Sequence, residues 1–254
     1  VISGLLSTGC NVGSLGVASS PTAEFMVKKL KANGCIIITA SHNSPEWNAL
    51  KVVDRFGVAI SHERGEEIEK LLGSVSLVSW DKVGKLEKYP TAAKEHIEGM
   101  LKLLPSVSLN QKNTKTKKKI VLDCGNGTAL LVAPQLFEHL GCEVLVINGT
   151  PDGKFPSRPS EPTEANVKKL IETVKSKKAD AGIAWDGDCD RVIFVDEKGN
   201  YVIGDRVYAL CVIWKKYFNG NKKLNGDIIT TVATSKVVED AAILCNVKVR
   251  YTAI

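Results

Sequence analysis

The sequence predicts an α/β protein, with tandem α/β/α sandwich domains and mixed, largely parallel sheets. Apolar runs of strand length, such as residues 35–38 (CIII) and 120–122 (IVL), alternate with amphipathic stretches of helix length. The helical stretches are punctuated as helices are, with proline near a first turn and glycine past a last one. Strands alternating with helices need crossover connections, which set neighbouring strands largely parallel and lay helices on both faces of the sheet. A chain of 254 residues has room for about two domains of roughly 100–200 residues each.

Taken in order, residues 1–9 (VISGLLSTG) read as the end of a helix. Residues 21–34 (PTAEFMVKKLKANG) open on Pro21 and close on Gly34. Strands follow at 35–40 (CIIITA) and 49–54 (ALKVVD). Residues 61–72 (SHERGEEIEKLL) restart a helix, with Ser61 as N-cap and acidic residues in the early turns. From about 100 to 119 the composition shifts to Leu, Ser, Asn and Lys, a linker. A second unit runs from a strand at 117–127 through a helix at 128–141, in spite of Pro134, to a strand at 142–149. A long Pro-rich loop at 150–166 follows, of a length that is often functional. Then come a helix at 167–179 and strands at 180–185 and 191–199. A third unit opens with a helix at 205–218 and strands at 227–233 and 246–254. The domains expected are 1–106, 107–200 and 201–254. The chain begins at Val1 rather than Met and stops inside a strand pattern, so it reads as cut at both ends.

Composition excludes several classes. Hydrophobic content of 44% and charged content of 24% are those of a globular protein. No apolar run approaches the roughly 20 residues of a membrane helix. The net charge of +6 owes much to Lys112, Lys115, Lys117, Lys118 and Lys119. Without interleaved aromatic residues that cluster reads as a solvated basic linker, not a nucleic-acid surface. A mildly positive protein also suits anionic small-molecule substrates. Seven scattered cysteines, an odd number with no C-x-x-C pair, argue for a reducing, cytoplasmic setting and against a disulfide framework.

Two stretches concentrate chemistry. Residues 185–191 (WDGDCDR) alternate Asp186, Asp188 and Asp190 in a loop between apolar strands. At about 4 Å and an effective dielectric of about 20, each like-charged pair costs on the order of 4 kcal/mol, so a counter-cation is close to obligatory. All-oxygen ligation selects a hard ion, Mg²⁺ before Zn²⁺. The bland alternative is an acidic turn splayed into water. An EF-hand would place Glu197 at loop position twelve, but it requires glycine where Arg191 stands, and helices where strands are read. A phosphatase with an aspartyl nucleophile also places D-x-D after a strand. The second stretch is residues 39–51 (TASHNSPEWNALK), where a buried strand ends on Ser41, His42 and Asn43, with Lys51 ten residues on. A phosphorylated Ser41 would carry nearly two negative charges and three acceptor oxygens, enough to ligate Mg²⁺ and donate a phosphoryl group. The G-x-S-x-G elbow of a serine hydrolase is absent. Residues 123–128 (DCGNGT) lack the third glycine of a dinucleotide fingerprint and read as a tight strand-to-helix turn.

Together these stretches resemble the α-D-phosphohexomutases. Residues 39–51 are similar to their active-serine loop, T-A-S-H-N-P-x-x-x-N-G-x-K. Residues 186–191 are similar to their metal loop, D-G-D-x-D-R, and residues 151–166 to the Pro-rich loop of their second domain. The nearest flavour is the archaeal-type phosphomannomutase/phosphoglucomutase group, which includes phosphoglucosamine mutases. Two departures stand out: Ser44 where the family has proline, and Ala49 where it has glycine.

The resemblance implies an isomerase that interconverts hexose 1- and 6-phosphates through a phosphoserine enzyme and a bisphosphate intermediate. It implies Ser41 as phosphoryl carrier, and Mg²⁺ held by Ser41, Asp186, Asp188 and Asp190. Lys51 would move protons, Arg191 contact phosphate, and His42 and Asn43 contact substrate. The partners implied are hexose phosphates and hexose bisphosphate, with a homodimer as an option and neither nucleic acid nor membrane. The family has four domains; this chain would hold most of the first, all of the second and the opening of the third. It would supply donor and ion but no anchor for the distant phosphate, so slow phosphoserine hydrolysis is expected of it alone rather than interconversion. The rivals are an Asp186-dependent phosphatase and a sugar-phosphate-binding remnant of a mutase.

Overall fold

A computed structural model of the chain describes residues 1–104, 117–217, 224 and 226–252. The first unit begins with α1 (Ile2–Ser7), β1 (Val12–Ser14), α2 (Ser20–Leu30), β2 (Gly34–Thr39) and β3 (Ala49–Asp54). It continues with α3 (His62–Lys70), β4 (Leu86–Lys88) and α4 (Ala92–Leu103). Helix α2 starts as its sequence directs: the Ser19 hydroxyl accepts the Thr22 N–H at 3.2 Å, and Pro21 occupies the first turn. It ends four residues before Gly34, because Lys31 takes the left-handed conformation (φ 53°) and closes the last turn. Helix α3 is capped by Ser61, which accepts the Arg64 N–H at 3.3 Å. Met26 and Val27 of α2 and Ala92 and Ile97 of α4 are buried.

Two pairings make up the sheet structure of this unit. β2 and β3 form an antiparallel pair in which Ile37 lies opposite Lys51. β1 and β4 form a separate parallel pair. Among the described residues, each of β1 and β2 has one edge without a strand partner, and both strands border a cavity of about 600 Å³.

The second unit holds the five-stranded sheet, in the order β6-β5-β7-β8-β9. Its strands are β5 (Lys119–Asp123), β6 (Glu143–Ile147), β7 (Ala181–Trp185), β8 (Val192–Asp196) and β9 (Tyr201–Val202). The first three are parallel; β8 and β9 turn back antiparallel, as the mixed sheet predicts. Successive residues of β5 face opposite ways. Val121 packs with Leu170 and Val174 of α6 (Lys168–Lys177), and Leu122 packs with Ala133 of α5 (Ala133–His139). The sheet is thus covered on both faces.

Two expectations need correction. Residues 128–141 are not one helix: a 3₁₀ turn (Thr128–Leu131) ends at Val132, and α5 begins afresh with Pro134 in its first turn. Proline lacks the N–H a continuous helix would use, and its ring collides with the carbonyl four residues back. The expected linker begins later than residue 100, because α4 continues to Leu103; residues 105–116, with Lys112 and Lys115, lie outside the described residues. Lys118 and Lys119 instead pair with Asp180 and Glu143.

Among the described residues, the third unit has α7 (Gly204–Tyr217), β10 (Ile228–Thr231), α8 (Val237–Cys245) and β11 (Val249–Thr252), with β10 and β11 parallel. Its core joins Val212, Ile228, Val238 and Ala242. All seven cysteines are free thiols. Among the described residues, no helix is long and apolar enough to cross a membrane.

Candidate active site

The site forms where the turn after β2 meets the loop between β7 and β8. Ser41 leaves its strand in the left-handed region, φ 52°, an unusual place for a serine. The Thr39 hydroxyl accepts the Ser41 N–H at 2.8 Å and stabilises that turn. The bend points the Ser41 hydroxyl across to the second unit, where it donates to Asp186 Oδ2 at 3.1 Å. His42 Nδ1 lies 3.3 Å from the same hydroxyl. Asn43 is exposed on the turn, its N–H bonded to the Ala40 carbonyl.

Each carboxylate of the triad has a distinct setting. Asp186 is 1% exposed, and its Oδ1 accepts the N–H groups of Asp190 and Arg191, both at 3.1 Å. Burial pushes its carboxyl up to about 7; the Arg191 N–H opposes the rise, and the charges of Asp188 and Asp190 add to it. Asp188 is also buried. Its Oδ2 accepts the Ser20 hydroxyl at 2.7 Å, while its Oδ1 has no partner at all. Asp190 is more open, and Lys51 Nζ reaches it at 3.3 Å. Lys51 also lies 3.5 Å from Glu24. Partial burial acts to lower the Lys51 pKa, but the hydrogen bond to Asp190 and the charges of Asp190, Glu24 and Asp188 prevail and raise it. The Arg191 guanidinium pairs with Glu161 of the Pro-rich loop, at 2.6 Å.

The donor set fits a hard divalent cation. Oxygens from all three aspartates lie within 4.8 Å of one another. An unpartnered buried carboxylate oxygen is costly, and here it belongs to a cluster of like charge, where a cation would satisfy and neutralise it. The neighbouring thiols are poor ligands: burial pushes Cys189 up to about 12, and the aspartate charges contribute. Cys124 is likewise pushed up to about 12 by burial, with Asp123 adding and Arg158 opposing.

Several supporting residues were not singled out in the sequence. Ser20 directly follows the N-cap Ser19, so the serine pair before Pro21 divides its work between capping the helix and holding Asp188. Glu24 and Glu161 hold the two cations. Arg158 lies buried in the Pro-rich loop, bonded to Asp123 at 2.9 Å and to the carbonyls of Pro159, Ser160 and Trp185. The signals in the sequence were the length of that loop and its likeness to the Pro-rich loop of the phosphohexomutases. The DCGNGT turn also contributes. Thr128 donates both its N–H and its hydroxyl to the Gly187 carbonyl, and a side chain at Gly127 would meet that carbonyl oxygen at 2.5 Å.

Fold and site together define a tandem α/β/α protein that presents a serine hydroxyl to a carboxylate triad able to hold a divalent cation. Comparison with known families matches residues 1–77 to phosphoglucomutase/phosphomannomutase alpha/beta/alpha domain I and residues 94–199 to domain II. The chain belongs to the phosphoglucomutase/phosphomannomutase family. It is 37% identical to the phosphoglucomutase/phosphomannomutase of Thermococcus kodakarensis, over 99% of this chain and 54% of that protein. It is 39% identical to a probable phosphoglucosamine mutase of Methanosarcina barkeri, over 95% of this chain and 52% of that one. A crystal structure of a phosphoglucomutase/phosphomannomutase family protein from Burkholderia thailandensis superposes with a TM-score of 0.84 at 26% identity, covering 99% of this chain and 53% of that one. The chain spans about half the length of these relatives.

Proposed function

We propose that this chain carries the phosphoryl-transfer centre of a phosphohexomutase acting on hexose 1- and 6-phosphates. The observation that supports this best is the Ser41 hydroxyl 3.1 Å from Asp186, within a triad that leaves a buried carboxylate oxygen unpartnered. In this reading Ser41 carries the phosphoryl group. As the bond from phosphorus to Ser41 Oγ breaks, a sugar hydroxyl oxygen forms the new bond to phosphorus, giving a hexose bisphosphate. The bisphosphate then returns its other phosphoryl group to Ser41. Lys51 takes the proton-transfer role, passing the proton lost by the sugar hydroxyl to the Ser41 oxygen that the phosphoryl group leaves; Arg191 makes a phosphate contact, and His42 and Asn43 take the substrate side. Asp186, Asp188 and Asp190, with an oxygen of phosphorylated Ser41, would hold Mg²⁺. The ion would neutralise phosphoryl charge, the main demand of such a transfer. The names of the relatives support mannose, glucose or glucosamine phosphates as substrates.

The domains proposed are 1–106, 107–200 and 201–254, although β9 (Tyr201–Val202) pairs back onto the sheet of the second. A reducing, cytoplasmic setting is part of the same reading, supported by seven free thiols. The alternative, Asp186 as the nucleophile of a phosphatase, is disfavoured by its surroundings. Both its oxygens are already bonded, and only 1% of the residue is exposed. Incubation with glucose 1,6-bisphosphate and Mg²⁺, followed by peptide mass spectrometry, tests the reading. Phosphate is expected on Ser41; phosphate on an aspartate would favour the phosphatase.

A further inference from the structure

We propose that Ser160 is the positioning residue that holds the serine loop against the metal loop during phosphoryl transfer, an inference that rests on the reading of Ser41 as phosphoryl carrier. Its hydroxyl makes two bonds of opposite sense. It donates to the Ser41 carbonyl at 3.0 Å and accepts the Gly187 N–H at 2.9 Å. One oxygen atom therefore joins the residue that carries phosphate to the residue between Asp186 and Asp188. Ser160 is 4% exposed, so water is a poor substitute for either bond.

The surroundings fix this hydroxyl in place. Arg158 donates to the carbonyls of Pro159 and Ser160 and to that of Trp185, the residue just before Asp186, while Asp123 anchors its guanidinium. Prolines on both sides, Pro159 and Pro162, restrict the backbone. On the far side, Thr128 grips the Gly187 carbonyl, so the peptides flanking Gly187 are held at both ends. Gly187 admits the approach: a side chain there would lie 3.0 Å from the Ser160 oxygen and 2.8 Å from the Phe155 ring.

The Ser160 bridge differs from the other ties between the two loops in what the reaction does to it. The bond from Ser41 Oγ to Asp186 uses the hydroxyl hydrogen, which a phosphoryl group replaces, so that tie is lost when the serine is loaded. The Lys51 contact falls on Asp190, an intended ligand, and on a side chain that must move a proton. The line from the Ser41 carbonyl through Ser160 to the Gly187 N–H includes no atom that changes during transfer. It holds the same register before and after loading, which is what a reaction that empties and refills one serine requires.

The test compares the parent chain with Ser160→Ala and Ser160→Thr, all checked for folding by circular dichroism. Loading of Ser41 from saturating glucose 1,6-bisphosphate is timed, and Mg²⁺ affinity is measured by calorimetry. Ser160→Ala should load about tenfold more slowly while its Mg²⁺ affinity stays within about twofold, and Ser160→Thr should recover the rate. Loading at the parent rate in Ser160→Ala would overturn the proposal, as would a parallel loss of Mg²⁺ affinity, which would mean that Ser160 only shapes the metal loop. If the parent itself takes no phosphate, the reading of Ser41 has failed, and amide exchange still decides the bridge. Ser160→Ala must then release the Gly187 amide and the amides of residues 41–43 together; release of one segment alone would refute it.

Discussion

The Ser41 hydroxyl donates to Asp186 across 3.1 Å, although the two residues stand 145 positions apart in the chain. Around this contact the first unit contributes Ser20, Glu24, Ser41 and Lys51, and the second contributes the triad and Ser160. Neither unit holds the site alone.

Asp188→Asn should weaken Mg²⁺ binding by about tenfold or more, since it removes a charged hard ligand. It should not lower the stability of the metal-free chain, because it also removes one of three crowded negative charges and an unpartnered carboxylate oxygen. Calorimetry with Mg²⁺ and urea unfolding in EDTA check the two halves. Unchanged affinity would remove Asp188 from the ligand set.

Lys51→Met separates charge from ligation. The ammonium occupies Asp190 in the metal-free chain, so its loss should leave Mg²⁺ affinity unchanged or slightly tighter. Loading of Ser41 should fall by about a hundredfold if Lys51 moves the proton. A variant that loads at the parent rate would reassign Lys51 to the structure of the turn.

Arg158→Ala should destabilise the chain by roughly 3–5 kcal/mol, because it strands the buried Asp123 carboxylate. Arg158→Lys should recover little of this: a lysine cannot reproduce four hydrogen bonds spread around a planar guanidinium. Urea unfolding measures both variants.

His96 gives a pH dependence away from the metal loop. Burial holds its pKa below the ordinary 6.5; the ring stacks on Phe25, and Nδ1 lies 2.9 Å from the Thr22 hydroxyl. A depressed pKa means that the unfolded chain takes up the proton first. The stability contribution is therefore full above 6.5 and is lost as pH falls through the lower folded value. The nearby charges are Lys29 and Glu95, which pair with each other at 2.6 Å. His96→Gln should flatten the decline in stability below 6.5, read from urea midpoints across that range. An undiminished decline would point to another group.

Much of the fold was legible because its signals are local. Ser61 caps α3 through an N–H three residues away, and the continuous apolar run of β5 is buried on both sides because a strand sends Val121 and Leu122 to opposite faces. The D-x-D-x-D spacing announced a candidate cation site because three like charges confined to five residues cannot be far apart. Pro134 was a local signal too, but its effect depended on whether the chain would kink or restart, and it restarts.

By itself the sequence determined the α/β class, the strand that leads to Ser41 and the loop that gathers Asp186, Asp188 and Asp190. These follow from side-chain periodicity, capping and charge within a few residues. Only the tertiary structure decided that Ser20 would hold Asp188, that Arg158 would be buried on Asp123, and that the Ser160 hydroxyl would bridge Ser41 and Gly187. Each of these is a hydrogen bond across 27 to 168 positions, with a serine or arginine side chain as one partner. Such residues carry no periodicity, and their partners are chosen by whichever polar groups packing leaves buried together.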